Sequence, residues 1–479
     1  MEFMSAIKGK FGQLCNSHVT TCRREVNLRH HLTIAGVTCV LSALLVGSMK
    51  IQAQSPTTPP LLTEQDAVEI ARTANRETKK TTLDIDRAAQ SIWEAKTNYF
   101  PQSSINVISG YPLGTFNFTL PKGELGTYPA TGPIPATNTS ITTSQSFAEM
   151  SSATIAQPLS QLYKIHLSVE IARSERAIAV ESGRQQSQSV TDQVRQSYHQ
   201  ICILEGQLIA DDTQEKALEE ALRIAENNVA QATALEADKL QAKAALTRER
   251  YTKTKDEDAL LSAKEQLNML LGRDVDTEYS VEPLASSTEE EINLSEARTT
   301  ALKQRPEIRL AKLQIEKANL DVRQEKAGYI PDVNAQLTYI GFQNVDFLPK
   351  NVAAAGFSLS WRNPWDWGKR KANLASLRDV TKQQILTADD KTQQVTLDVD
   401  QKFRALRQAR LLVGAADLSK DASAESLRNV TNQFQQHEAL LSEVLQQAAE
   451  DQKQSQNYTQ ALGAYWTARA DFDRALGRD

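Results

Sequence analysis

Two hydrophobic periods alternate along this chain, and they do so twice. After Thr63, the apolar residues Ala67, Ile70, Ala71 and Ala74 recur at helical spacing, with Thr63 placed as N-cap and Asp66 as its N3 partner. This predicts a helix that ends before Pro101. The period then falls to two. Ile105 and Val107 open one short strand, and the run from about Ile141 to Gln157 supplies another. Between them, Pro112 to Thr139 is rich in Pro, Gly and Thr and predicts an exposed flap. The succession repeats from Leu294, where a second helix ends before Pro331. Val333, Ala335, Leu337 and Tyr339 then alternate with Asn334, Gln336 and Thr338. Ala353, Ala355, Phe357, Leu359 and Trp361 alternate with Ala354, Gly356, Ser358 and Ser360, so this strand pair has one apolar face. Beyond Pro158 and beyond Pro364 the period is helical again, with no proline up to Pro283 or Asp479. A helix of roughly 70 residues is about 100 Å long at ~1.5 Å per residue. Segments folding back near Ala232 and His437 therefore predict long antiparallel coiled hairpins.

The repetition extends to individual letters. Tyr99-Phe100-Pro101 matches Tyr329-Ile330-Pro331, and Pro158 answers Pro364. Further on, Ala217, Leu222, Arg223, Ala234, Leu235, Leu240 and Gln241 match Ala422, Leu427, Arg428, Ala439, Leu440, Leu445 and Gln446. Both copies close on Leu-Gly-Arg-Asp, at 271–274 and 476–479. The chain is thus read as an internal duplication. The first repeat is 62–274, with strand pair 102–157 and helical hairpin 158–274. An acidic linker, 275–293, leads to the second repeat at 294–479, with strand pair 332–362 and hairpin 364–479. The first copy carries roughly 25 extra residues, most of them in the flap, which follows from the fall in repeat offset between the two prolines.

The amino terminus has its own pattern. Arg23, Arg24 and Arg29 precede an uncharged run from Leu32 to Met49, and Ala53 follows. This is the order of a secretory signal, predicted over 1–53, with a Pro-rich linker at 54–61. A retained signal anchor is the other reading of this run. Cys15, Cys22 and Cys39 fall within the predicted signal, which leaves Cys202 alone in a helical apolar run and no internal disulfide to form. The 479 residues carry a net charge of −5 and a mean hydropathy of −0.44, so neither a nucleic-acid footprint nor a bundle of spanning helices fits.

Chemistry is sparse. His166, His199 and His437 stand far apart, outside any metal-ligand spacing, and no phosphate loop or nucleophile elbow occurs. The expectation is a protein that is not an enzyme and uses no cofactor. Trp361, Trp365 and Trp367 cluster at the last strand's end, either as packing at a corner or as the aromatic girdle of a membrane barrel. Export, four strands and no spanning helix combine into an argument. A sheet spans lipid only when closed, and four strands are too few, since single-chain barrels start at about eight. Strands that enter a membrane must here be shared between chains.

The duplicated order of signal, helix, strand pair and long helical hairpin, with the Tyr-x-Pro corners and Asn363-Pro364-Trp365-Asp366-Trp367-Gly368, resembles the TolC-like outer-membrane efflux proteins. The resemblance covers roughly 62–479. It implies a mostly α protein with a small β part: long antiparallel coiled coils forming an α-barrel, and four strands per chain in a homotrimer's twelve-stranded outer-membrane β-barrel. It also implies a periplasmic adaptor (a membrane fusion protein) and an inner-membrane pump or secretion transporter as partners, with outer-membrane lipid around the barrel and no nucleic acid. Cargo would be small molecules, metal ions or proteins. The adaptor-docking tip falls on Gln231, Ala232, Thr233, Gln436, His437 and Glu438, where the family's usual glycines are missing. The pore constriction falls on Glu443 and Gln446, with Asp238 equivalent to the first in copy one. Ala355, Phe357, Leu359 and Trp361 would meet lipid. The rival readings are a periplasmic adaptor and a non-conducting, periplasm-spanning structural rod.

Overall fold

The structure, a computed structural model, describes residues 60–111, 113–114, 117–142, 147–231, 235–286, 292–344, 349–361, 367–436 and 438–478. The predicted signal, Pro112, Ala232, Thr233, His437, Trp365 and the 363–366 part of the second corner lie outside them. The elements in chain order are β1 (Leu61–Leu62), α1 (Glu64–Ala74), α2 (Arg76–Thr97), β2 (Gln102–Gly110), β3 (Asn117–Leu120), β4 (Thr127–Tyr128), β5 (Gly132–Pro133), β6 (Thr139–Thr142), β7 (Ala148–Pro158), α3 (Leu162–Ala230), α4 (Glu236–Leu271), β8 (Ser280–Val281), α5 (Leu294–Gln304), α6 (Pro306–Ala327), β9 (Asp332–Gln343), β10 (Asn351–Ser360), α7 (Lys369–Gln435) and α8 (Leu441–Ala475).

Thr63 caps α1 as its position predicts, its Oγ1 accepting from Asp66 N at 3.1 Å. The single helix expected at the head of each repeat is, however, two. Asn75 ends α1 and caps α2: its Oδ1 accepts from Glu77 N at 2.7 Å, while its Nδ2 donates to Leu270 O at 2.6 Å. In the second copy the break falls at Arg305, and Pro306 occupies the first position of α6, where its missing N–H costs nothing.

The strands also shift from their expected bounds. Ile141 belongs to β6, which pairs with β3 inside the flap, and the sheet strand begins at Ala148. Pro158 ends that strand, and the helix starts only at Leu162. Trp361 lies one residue beyond β10.

The two outgoing helices, α3 and α7, are 69 and 67 residues long, which is roughly 100 Å each. The returning helices α4 and α8, at 36 and 35 residues, cover only their distal halves. In the distal half the packing order is α4, α3, α8, α7; in the half nearer the sheet it is α2, α3, α6, α7. Small residues let these helices approach. A Cβ on Gly463 of α8 would run into Ile203 of α3, and one on Gly206 of α3 into Thr459 of α8.

Each repeat has its own core. Ala67, Ala71, Val194, Ile201 and Leu271 are buried in the first; Ala301, Val399, Tyr465, Phe472 and Ala475 are buried in the second. Near the tip the two copies share one cluster, in which Ala221, Ala225 and Ala242 meet Phe434, Leu441 and Val444. The linker is tied down where it is described. β8 pairs parallel with β1, Tyr198 Oη donates to Leu62 O at 3.0 Å and accepts from Glu282 N at 3.0 Å, and Trp466 Nε1 donates to Ala285 O at 2.9 Å. Cys202 is buried and free, its thiol pushed up to about 12 by burial and by the nearby Glu205 and Glu64 charges.

Candidate functional site

Four strands form one antiparallel sheet in the order β10-β9-β7-β2. Its register decides which side chains share a face. Leu359, Phe357, Ala355 and Ala353 stand opposite Val333, Ala335, Leu337 and Tyr339. Leu337 and Tyr339 stand opposite Ile155 and Ala153, and these opposite Ser103 and Ile105. This face is apolar from Leu359 to Ala353 on β10 and from Val333 to Tyr339 on β9, whereas on β7 and β2 it mixes Ile155, Ala153, Ile105 and Val107 with Ser103, Ser151 and Glu149. The other carries Asn334, Gln336, Thr338, Ser358, Thr154, Ser152, Ser104 and Asn106. Phe357 is 79% exposed and Leu359 69%, although each sits in a paired strand. Trp367, beyond the corner, is 97% exposed and turns with positive φ into a left-handed Gly368, so it is not buried packing at that corner.

The sheet is open. β10 and β2 are edge strands, each paired on one side only. The helical layer ends on the same two sides: β2 follows α2, and β10 precedes α7. These outer helices carry the exposed large apolar residues. No residue of α2 is buried, and Leu83 and Trp93 lie exposed on it. Tyr251 and Leu261 are exposed on α4, as are Leu386, Leu411 and Leu418 on α7.

At the far end, the residues flanking the two turns cap the helices. Gln231 follows α3 as its C-cap, its N–H donating to Asn227 O at 3.1 Å, and Gln436 closes α7 in the same way on Asn432 O at 3.2 Å. Glu438 N donates to Gln433 O at 2.9 Å. Asp238 and Glu443 hold equivalent places at N3 of the returning helices. Asp238 Oδ2 accepts from Leu235 N at 3.1 Å, and Glu443 Oε2 accepts from Leu440 N at 3.2 Å. Each carboxylate thus satisfies an otherwise orphaned N–H at the positive end of a helix. An acid three residues past a turn was the sequence signal for this role. Gln446 is exposed one turn further along α8. A groove of about 410 Å³ separates the two turns; Asn228, Leu235 and Asp238 line one wall, and Phe434, Leu440 and Ser442 the other. Asp238 reaches this groove, whereas Glu443 and Gln446 are not among its lining residues.

Among the described residues no helix is long and apolar enough to cross a membrane, and no group of side chains could hold a metal ion. No protein-family model and no curated protein matches the sequence. Solved structures do. The chain superposes on the outer-membrane channel OprN with a TM-score of 0.69 at 15% identity, covering 87% of this chain and 90% of that one. For the CmeC outer membrane channel of Campylobacter jejuni the TM-score is 0.69 at 13% identity, covering 86% and 85%. For the open state of the MtrE outer membrane channel of Neisseria gonorrhoeae it is 0.67 at 18% identity, covering 87% and 89%.

The chain has the fold of the TolC-like outer-membrane channels. These neighbours are channels, and each covers more than four fifths of this chain.

Proposed function

We propose that the chain is the outer-membrane channel subunit of a tripartite efflux or secretion system. Three copies join head to tail. The α2/α4 side of one copy meets α7 of the next, and β2 meets β10, so that four strands per chain close into a twelve-stranded barrel. The shared edge of the sheet and the helical layer carries this reading. Lipid leaves unpaired strand edges unsatisfied, so an open sheet whose face is apolar along β9 and β10 meets lipid only by closing through further copies. A heterologous interface of this kind closes into a three-membered ring when each copy is turned by a third of a circle from the last. Strands of 9 to 12 residues are long enough to span when tilted.

In this reading the apolar face with Ala355, Phe357, Leu359 and Trp361 meets lipid, and the polar face lines the lumen. The long helices continue the tube into the periplasm. Small molecules, metal ions or proteins pass from an inner-membrane pump through an adaptor docked near Gln231, Gln436 and Glu438. The exported protein should fractionate with the outer membrane and run as a trimer in mild detergent. A stable soluble monomer would overturn the shared barrel, and with it the channel.

A further inference from the structure

The first helical hairpin and the last helix meet over two acids that no base accompanies. Asp211 of α3 is fully buried and Glu249 of α4 is 7% exposed. A single amide joins them across the hairpin boundary: Gln452 Nε2 of α8 donates to Asp211 Oδ1 at 2.9 Å and to Glu249 Oε1 at 2.6 Å. Gln456, one turn on, donates to the same Asp211 oxygen at 3.3 Å. Asp211 Oδ2 is buried with no hydrogen-bond partner among the described residues.

The charged surroundings are acidic from each side. Glu215 stands on α3, Asp256 on α4, and α8 offers only the neutral Gln452 and Gln456. The nearby bases turn elsewhere, Arg250 to Glu215 and Glu219, and Lys253 to Asp212 and Glu215. In the second repeat the equivalent positions are Ala416 and Gln454, so the acid pair belongs to the first copy alone.

We propose that one of the buried acids Asp211 and Glu249 is protonated and that the pair, joined by Gln452, forms a pH-responsive latch between the first hairpin and α8. Two buried carboxylates that accept from one amide nitrogen repel each other when both are ionised. A single proton removes one charge from the pair, and the amide satisfies one oxygen of each acid. The pair titrates as a unit. Burial, and then the neighbouring Asp211 charge, pushes Glu249 up to about 7, and burial raises Asp211 as well. The sign follows. An acid whose pKa is raised by the closed contact stabilises that contact only while protonated. The latch is tightest below the ordinary carboxylate range, and it loosens as pH rises from 4.5 towards about 7. Above that it is flat. The latch lies between the shared tip cluster and the Gly206–Thr459 contact, so its release loosens the first hairpin from α8 over that stretch alone.

Hydrogen exchange on the detergent-solubilised full-length protein tests this, with intrinsic rates corrected for pH. In wild type, protection over 205–217, 245–256 and 448–458 should fall by about tenfold for each pKa unit crossed. Protection over 395–410, in the second repeat's own core, should stay constant. Glu249→Gln should hold the high protection at every pH. Equal protection at all pH values in wild type, or an unchanged pH dependence in Glu249→Gln, would overturn the latch. Infrared difference spectra of wild type, which need no variant to fold, supply the second reading. They should show an un-ionised carboxyl C=O band near pH 6 that disappears by about pH 9. Asp192, also raised to about 6, adds to this band, so a band of undiminished intensity in Asp211→Asn,Glu249→Gln, or none in wild type, would overturn the protonated pair.

Discussion

Placing an aspartate at Phe357 and, separately, at Ser358 sets two neighbouring positions of one strand against each other. Phe357 pairs with Ala335 and Ser358 with Asn334, so the two side chains point to opposite faces. Phe357 also lies near the middle of the ten-residue β10. At ~3.4 Å per residue and a tilt near 40° it sits within about 5 Å of the midplane. A basic residue facing lipid at that depth costs about 2–4 kcal/mol and an acidic one less, so ~2 kcal/mol per chain is expected, or ~6 kcal/mol per trimer. Per chain this is roughly a thirtyfold loss in the folding equilibrium. Ser358 already faces the polar side, within reach of Asn334 Nδ2 at 3.5 Å, and an aspartate there meets water. Urea titrations of protein folded into lipid vesicles, together with trimer recovery from outer membranes, read the difference. Phe357→Asp should lose most of its inserted trimer and Ser358→Asp should keep it. Equal losses, or a greater loss for Ser358→Asp, would refute the assignment of the apolar face to lipid.

Three further outcomes follow from local geometry. Gly272 ends α4 with φ 69°, and a Cβ there would stand 2.5 Å from Ala74 O. Gly272→Ala should cost about 1–3 kcal/mol, read as a lower thermal midpoint, since a left-handed non-glycine is strained even before the clash. In the flap, β3 pairs with β6 and β4 with β5, so its strands are held by one another. Deleting Gly114 to Pro135 across a short turn should leave trimer yield unchanged in native electrophoresis, and loss of the trimer would place the flap inside the barrel. If threefold symmetry brings Glu443 to the pore mouth, Glu443→Gln should weaken cation preference in reversal potentials, and identical selectivity would mean that this acid serves only as a helix cap.

The architecture was legible because lipid and helix geometry both leave periodic marks. Alternation at Val333 to Tyr339 and Ala353 to Trp361 identified the strands and their apolar face, and the repeated prolines marked where helices could not continue. The breaks at Asn75 and Arg305 were less visible. A helical period runs through both, and only the cap chemistry of Asn75 and the proline after Arg305 signal the stop. The start of β7 was obscured because Ile141 sits in an equally strand-like segment that pairs within the flap. At the tip, the family resemblance put a pore acid at Glu443, and the structure adds that its carboxylate caps α8. Asp211 and Glu249 were invisible as a pair because they lie on different helices, and only packing against Gln452 brings them together. The repeat comparison held a hint, since acids in copy one face Ala416 and Gln454 in copy two.

Single-channel recording in a planar lipid bilayer tests the central claim most directly. Purified trimer should insert as discrete conductance steps, and Glu or Asp substitutions on the polar face of the sheet should shift its ion selectivity. Trimer shown to be inserted, yet passing no current at any voltage or pH, would mean that the helices enclose a filled rod rather than a channel.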